Sequence, residues 1–467
     1  MNDTTKMLDR ESIGSLLMKL SIPAAVGMIV QSLYNIVDAI FVGRGVGSLG
    51  IAGITVSFPI QIIIMALAQM IGIGSASIIS RSLGAKDLDR AERSLGNAFS
   101  LSLIIGFSVL ASGLVFINPL LQVFGATKTI LPYAKQYMSV ILLGSVFTTF
   151  GMALNSVVRA EGNAKIAMFT MLIGAISNII LDPIFIFVFK MGIRGAAIAT
   201  VISQFITFIW LLIYYLNGKS VMTLRFKNFA FDFRIAKETF AIGVSSFIRQ
   251  VTASLMIAIL NHTLAFYGGD IAITIYGLLN RLSSFAILPA FGVAQGFQPI
   301  AGFSYGAKKY DRTKRSIYLA SVFATAVTVT GFLIMMLFPY QLIGLFTTDQ
   351  LLINMAATPL RYVVLMFPFV GFIAIVATLF QAIGKAFQSF ILSMARQIIF
   401  LIPLVLTLPR FLGLPGVWYS FPIADFLTAI MSFGYLVPEL KKLSLKIAEI
   451  PHQELSGKTF EEAETKL

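Results

Sequence analysis

The sequence contains no cysteine and two histidines, His262 and His452, in 467 residues. The first absence excludes disulfides and thiolate metal centres. The two histidines lie far apart in the chain, which argues against a histidine-based metal site. Charge is scarce as well: 12% of residues are charged, against about 25% in an average soluble protein. Acid is scarcer than base, with 21 Asp and Glu against 35 Lys and Arg. What fills the chain is apolar: 57% hydrophobic residues and a mean hydropathy of +0.87. So much apolar surface does not fit inside one globular core. Windows such as 101–117, 198–216 and 319–338 match the ~20 residues that cross a ~30 Å hydrocarbon layer as helix. In lipid each span must satisfy its own backbone hydrogen bonds, so helix is expected, and the alternation of a membrane barrel is missing. A net charge of +14 on a soluble protein would suggest nucleic acid. Here the cations sit between apolar windows, where they set membrane orientation and imply no nucleic-acid partner. The polar, amphipathic N-terminus lacks the apolar stretch and cleavage site of a removable signal peptide.

Apolar windows and their breaks predict twelve spans: 15–42, 50–80, 94–118, 131–158, 166–189, 194–216, 237–267, 271–304, 316–338, 356–383, 387–409 and 415–438. The expected organisation is an N-terminal segment over 1–14, a first lobe over 15–216, a polar linker over 217–236, a second lobe over 237–440 and a tail over 441–467. With both termini placed in the cytoplasm, about 25 of the 35 Lys and Arg fall in cytoplasmic segments, an asymmetry that supports this orientation.

One segment occurs nearly twice. Gly84 to Ser94 reads GAKDLDRAERS and Gly306 to Ser316 reads GAKKYDRTKRS, an offset of nearly half the chain. Ala160-Glu161-Gly162-Asn163-Ala164 aligns with Ala382-Ile383-Gly384-Lys385-Ala386 at the same offset. Six spans per half is an even number, so both halves have the same orientation, related by an axis along the membrane normal. The expected fold is an all-α membrane protein of twelve transmembrane helices in two six-helix pseudo-symmetric lobes.

Two carboxylates fall inside spans: Asp38 in YNIVDAIFVG and Asp182 in NIILDPIFIF. An ionised carboxylate at mid-bilayer costs at least ~2.5 kcal/mol, so each should face a cavity or a partner. Such groups suit reversible protonation. Gln31, Tyr34, Asn35 and Asp38 recur at steps of three and four and share one face of the first span. Asn178 stands one turn before Asp182. With Asn155 of the fourth span and Thr200 of the sixth they define one candidate polar pocket. Pro23 and Pro183 interrupt the helix ladder and mark bending points. In the second half Arg249, His262, Arg281 and Asp425 are candidates for a cavity, and Glu161 beside Arg159 reads as a loop ion pair.

These residues resemble the multidrug and toxic compound extrusion (MATE) family, in its bacterial MepA-like and DinF-like branch. The resemblance rests on the proline-containing first span with YNIVDAIFVG, on SRSLGAK, VRAEGNAKIAM and NIILDPIFIF, and on Gly192–Thr200, and it covers residues 10–440. It implies two six-helix lobes around a cleft in the MATE/MOP-type fold, and export of cationic, amphipathic drugs in exchange for H+ or Na+. It places a cation site at Asp38, Asn178, Asp182 and Thr200, with Gln31, Tyr34 and Asn155 around it; Na+ would sit at Asp38, Asn178 and Asp182. No other metal or cofactor and no enzymatic activity are implied. The expected setting is a bacterial or archaeal cytoplasmic membrane, with the protein functional as a monomer. A second branch of the family carries coupling carboxylates on helices seven and ten. Here helix seven has Asn261 and His262, and residues 356–383 contain no acid. Two other readings are a lipid-linked oligosaccharide flippase with a cationic cavity (Arg249, Arg281, Arg396) and an intramembrane aspartyl protease using Asp38 and Asp182. The GxGD signature of the latter is missing, since Tyr267-Gly268-Gly269-Asp270 does not match it.

Overall fold

The structure, a computed structural model, describes residues 3–224, 228 and 231–449. Among them it is all helix. The helices are α1 (Asp3–Arg10), α2 (Ile13–Gly47), α3 (Leu49–Gly84), α4 (Leu88–Val115), α5 (Ile117–Val123), α6 (Leu131–Ala160), α7 (Ala164–Val188) and α8 (Gly192–Leu216) in the first half. The second half has α9 (Phe233–Gly306), α10 (Tyr310–Leu337), α11 (Pro339–Gly344), α12 (Gln350–Val364), α13 (Phe367–Ala382), α14 (Ala386–Leu412) and α15 (Leu414–Ala448).

Ten of these helices are long and apolar enough to cross a membrane, and α12 with α13 makes one further span bent by 44°. The 74 residues of α9 would reach about 110 Å if straight. The helix breaks at Gly269, where φ is +64°, and doubles back: Thr239 near its start packs on Gly74, and Phe303 near its end packs on Gly84, both in α3. Counting its two arms separately gives twelve spans. Gly47, at φ +78°, makes the equivalent break between α2 and α3. Only glycine adopts such angles at no steric cost.

The internal repeat is a property of the backbone. Positive φ recurs at Gly47 and Gly269, Lys86 and Lys308, Gly162 and Gly384, each pair separated by the offset of the sequence repeat. The two GAK turns make the same hydrogen bonds. Ala85 N donates to Arg81 O at 2.9 Å and Asp87 N to Ser82 O at 2.9 Å; Ala307 N donates to Phe303 O at 2.9 Å and Lys309 N to Ser304 O at 2.9 Å. The halves meet through these turns reciprocally. A Cβ on Gly84 would strike the carbonyl of Phe303, and a Cβ on Gly306 that of Arg81. The duplicated glycines are thus where one half's backbone lies against the other's.

This basic end of the molecule is closed. Glu238 of α9 takes Arg81 at 2.9 Å and Arg90 at 2.7 Å, both from the first half. Ser77 Oγ donates to the carbonyl of Gln381 at 2.5 Å. The short helix α1 packs under both halves: Leu8 and Thr4 lie against Gly162, and Lys309 pairs with Asp9 at 2.6 Å. Arg312 donates to the carbonyls of Leu8 and Glu11 at 2.9 and 2.6 Å. Arg312→Ala removes two charge-assisted hydrogen bonds to the end of α1, and we expect a loss of about 1–3 kcal/mol, read as a lowered melting temperature of the purified protein. An unchanged melting temperature would show that α1 is not held this way.

The spans expected from 94–118 and 237–267 begin earlier, at Leu88 and Phe233, because Asp87 and Asp232 cap them: their carboxylates accept from Arg90 N at 2.9 Å and Arg234 N at 2.9 Å. The tail expected from 441 is continuous with α15 as far as Ala448; residues 450–467, with His452, lie outside the described residues.

Glu161 is corrected from the expected loop ion pair. Arg159 turns to Asn155 and donates to Ser156 Oγ at 2.8 Å. Glu161 is buried and accepts from Tyr214 at 2.8 Å, Ser220 at 2.5 Å and Val221 N at 3.2 Å. It thereby pins the segment after α8, and Glu92 does the same by accepting from Thr223 N at 3.0 Å. Burial pushes the Glu161 carboxyl up from 4.5 to about 7, against the pull of its Ser220, Tyr214 and Val221 donors. The docked segment therefore binds a proton more tightly than the free one. Its docking is strongest below pH ~4.5 and weakens as pH rises through about 7. A spin label on Lys219→Cys, the only thiol in the chain, should gain mobility between pH 5 and 8, and Glu161→Gln should flatten that response. An equal response in the Glu161→Gln variant would assign it to another group.

Candidate functional site

Five helices of the first half bring polar side chains together away from the basic end. Asp38 stands nine residues before the Gly47 break, about 14 Å along α2. The carboxyls of Asp38 and Asp182 are hydrogen-bonding neighbours. Asp182, on α7, is fully buried, and its Oδ1 finds no protein N–H or O–H donor. A hydrogen bond between two carboxyls therefore needs one proton on the pair. Asn178, also buried, is satisfied when its amide nitrogen faces Asp182: it then donates to Oδ2 at 2.7 Å and accepts from Thr200 N at 3.3 Å. In the opposite orientation the nitrogen reaches Thr200 Oγ1 at 3.3 Å, but its oxygen faces only acceptors. Thr200 Oγ1 donates to Ala196 O at 3.0 Å, which leaves it to accept from the Tyr34 hydroxyl.

Two members of this group have no signal in the sequence beyond a polar residue in an apolar run. Tyr137 of α6 faces both carboxyls and hydrogen-bonds Gln61 of α3. Their helices reach the pocket only in three dimensions. Pro183 follows Asp182 directly, and after it the ladder widens to π geometry over Ile184–Val188, with Phe189 N donating to Ile184 O at 2.9 Å. Such π segments recur at functional sites. The second half repeats the device at Ala395–Leu401, just before Pro403.

Other expected pocket residues lie elsewhere. Asn155 donates to Ala167 O at 2.8 Å and holds Arg159. Ala167 is fifteen residues before Asp182 on one helix, about 22 Å away, so Asn155 belongs to the basic end. Asn35 is exposed and Gln31 partly so; neither is joined to the carboxyl pair, although both share a helix with Asp38. In the second half Asp425 is fully buried and bound by Arg396, at 2.5 Å to Nε and 3.3 Å to a terminal nitrogen. The expectation that Asp425 faces a cavity is corrected: a buried carboxylate requires its counter-charge, and the guanidinium supplies it. His262 and Arg281 are exposed. Arg249 lies over the Phe291 ring at 5.9 Å.

The groups present are two carboxyls, three hydroxyls and two amides. This set suits a proton or a small hard cation and has no soft ligand. Among the described residues no group of three His, Cys, Asp or Glu converges.

A doubled helical membrane protein with a carboxyl pair inside the spans of one half, Asp182 buried and Asp38 half-buried, is the architecture of a membrane transporter. A family model described as MatE matches the chain twice, over residues 23–184 and 245–407, and the starts of the two matches are spaced as the repeat is. The chain belongs to the MatE family, whose members are transporters and not enzymes. It is similar to the multidrug export protein MepA of Staphylococcus aureus strain MRSA252, with 28% identity over 446 residues, 95% of this chain and 97% of that protein. Among solved structures it resembles MATE in the bent conformation (TM-score 0.91, 27% identity, 96% of this chain and 100% of that one). It resembles MATE in the straight conformation almost equally (TM-score 0.90, 28% identity, 95% and 99%).

Proposed function

We propose that this protein exports small amphipathic cationic drugs across a bacterial or archaeal cytoplasmic membrane, in exchange for a cation, by alternating access. The observation that carries the reading is the Asp38–Asp182 pair with Asp182 Oδ1 left without a donor. An intramembrane pair of acids that holds one proton is neutralised fully by a second proton, or by an organic cation. Two cations competing for one charge give the reciprocal coupling that exchange requires. Pro23 is the proposed bending point, because its missing N–H leaves the carbonyl of Lys19 free and it sits beside Ala25, where α2 meets Gly292 of the second half. Neutralising Asp38 shifts the Asp38 arm of α2 against α7.

The orientation of Asn178 favours H+ over Na+. An amide that donates to Asp182 turns its oxygen away from the pair, and Na+ needs that oxygen. Sodium remains the second reading, and it requires the flip. The proposed setting keeps both termini in the cytoplasm and the linker over 217–236 between lobes at 15–216 and 237–440, in a monomer. A flippase would use a row of cavity cations, but Arg396 is already held by Asp425. The test is efflux of ethidium from proteoliposomes under proton and sodium gradients imposed separately. Export with the proton gradient alone is expected; export with neither gradient effective would defeat the proposal.

A further inference from the structure

The basic end carries an open groove of about 550 Å³ between α10 and α15, lined by Lys314, Val437, Leu440, Lys441, Ser444 and Leu445. That volume lies within the ~300–1,000 Å³ of small-molecule sites. Lysines from two helices converge on it. Lys314 Nζ donates to Ser444 Oγ at 3.1 Å, which fixes the ammonium and leaves it two further N–H donors. Further along α15, Lys446 sits over the Tyr305 and Tyr310 rings at 5.4 and 5.1 Å and holds the end of the helix against α9 and α10. Lys314 and Lys441 are both exposed. Among the described residues neither pairs with an acid, not even Lys314 with Asp311 three residues before it. Glu439, the acid nearest Lys441 in sequence, is buried and taken by Lys385.

The groove sits where hydrocarbon ends. Residues 316–337 of α10 and 426–438 of α15 contain no charge, so both lysines stand at the charged margins of their spans. Val437, within the groove, ends a row of exposed apolar side chains made by Ile423, Phe426, Ile430 and Phe433. They recur at steps of three and four along one face of α15. The row covers about 21 Å, more than the ~15 Å depth of one leaflet. Tyr318 and Val322 continue the exposed face of α10 from Lys314 at steps of four. Two ammonium groups above an apolar track match a molecule with an anionic head and a long tail. We propose that the groove binds one anionic phospholipid of the leaflet at the basic end. Its phosphate lies between Lys314 and Lys441 and accepts charge-assisted hydrogen bonds from them. One acyl chain follows the row from Val437 toward Phe426. A free phosphate would use the ammonium groups and leave the apolar track idle, and the track decides for the lipid. The site needs only the membrane setting, whatever the protein exports.

The probe is phosphatidylglycerol brominated on its acyl chains, which quenches a nearby tryptophan. The chain's two tryptophans are replaced as Trp210→Phe and Trp418→Phe, and Val437→Trp reports from the groove. The full-length protein is reconstituted in phosphatidylcholine with rising amounts of the brominated lipid. We expect phosphatidylglycerol to be preferred over phosphatidylcholine about tenfold at Val437→Trp. Adding Lys314→Ala with Lys441→Ala should bring that ratio within about twofold of one. Lys314→Arg with Lys441→Arg should retain most of the preference, which also shows that the groove tolerates substitution. Phe107→Trp, at an exposed position of α4 away from the lysines, should show none. An equal preference at Phe107→Trp, or one unmoved by the double alanine change, would mean general attraction to the basic surface and overturn the proposal. So would no preference at Val437→Trp. Displacement of the lipid by inorganic phosphate at matched ionic strength would make the groove a phosphate site. A preference that emerges only after deletion of residues 450–467, with their four glutamates, would give the groove to the chain's own tail. Either of these last two results would overturn the proposal as well.

Discussion

Asp182→Asn is expected to reduce proton-driven efflux by about two orders of magnitude, to the leak of empty liposomes, while leaving the protein folded. The substitution keeps volume and shape. Asn178 Nδ2, which donates to Asp182 Oδ2 at 2.7 Å, finds the side-chain oxygen of the new amide in the same place. What disappears is a group able to take up and release a proton. Without it the site offers one acid in place of a pair, and the second neutralisation step, on which the proposed exchange depends, cannot occur. Asp38→Asn should give the same loss, and the double variant should be no worse than either, because the two residues act as one unit. Each loss is read as ethidium efflux under an imposed proton gradient, beside the melting temperature. Drug binding at fixed pH should survive within about tenfold, since the aromatic and apolar walls are untouched. Full efflux in both single variants would remove the carboxyl pair from the mechanism.

The sequence made the architecture legible because the signals there are local. Long apolar windows, proline and glycine breaks and a polar loop that recurs half a chain later are all read along one strand of chain. Asp38, Asn178 and Asp182 were legible for the same reason: polar groups inside spans are costly, and their helical spacing is fixed. Partners on other helices were not. Tyr137 and Gln61 meet Tyr34 and the carboxyls only after α3 and α6 pack, and nothing in their own segments says so. Asp425 has an ordinary look in sequence, yet its meaning depends on Arg396, twenty-nine residues away. Asn155 failed in the other direction. Its helix was correct, but depth along α6 puts it with Arg159 and Ala167, far from Asp182. Glu161 next to Arg159 suggested a pair by adjacency, whereas the C-terminal turn of α6 points the two side chains apart, one to Ser156 and one to Ser220.

Gly74→Ala combined with Gly243→Ala is expected to shift the protein away from the arrangement described here without unfolding it. These glycines sit on α3 and α9, the first helices of the two halves to meet beside Glu238. A Cβ on Gly74 would fall on the Thr239 carbonyl, and one on Gly243 on the Met70 carbonyl. Both obstacles are backbone, so no rotamer change removes them and the two helices must move apart. Overpacking of this kind costs about 1–3 kcal/mol. The cost applies only while the basic end is closed. In the opposite member of the proposed alternation the helices separate there, and the added methyls meet open space. The equilibrium should therefore move toward the state open at the basic end by about 5- to 150-fold, with the cross-half pairs of Arg81 and Arg90 to Glu238 lost along with it. Because the chain has no cysteine, Lys86→Cys and Lys308→Cys can carry the only two spin labels. Their pulsed-EPR distance distribution should be short in wild type and dominated by a longer component in the double-alanine variant. Efflux should slow in parallel, since a transporter held in one state cannot complete a cycle. A distribution identical to wild type would mean that these glycines pack the fold without gating it, and that closure at this end is not one of two alternating states.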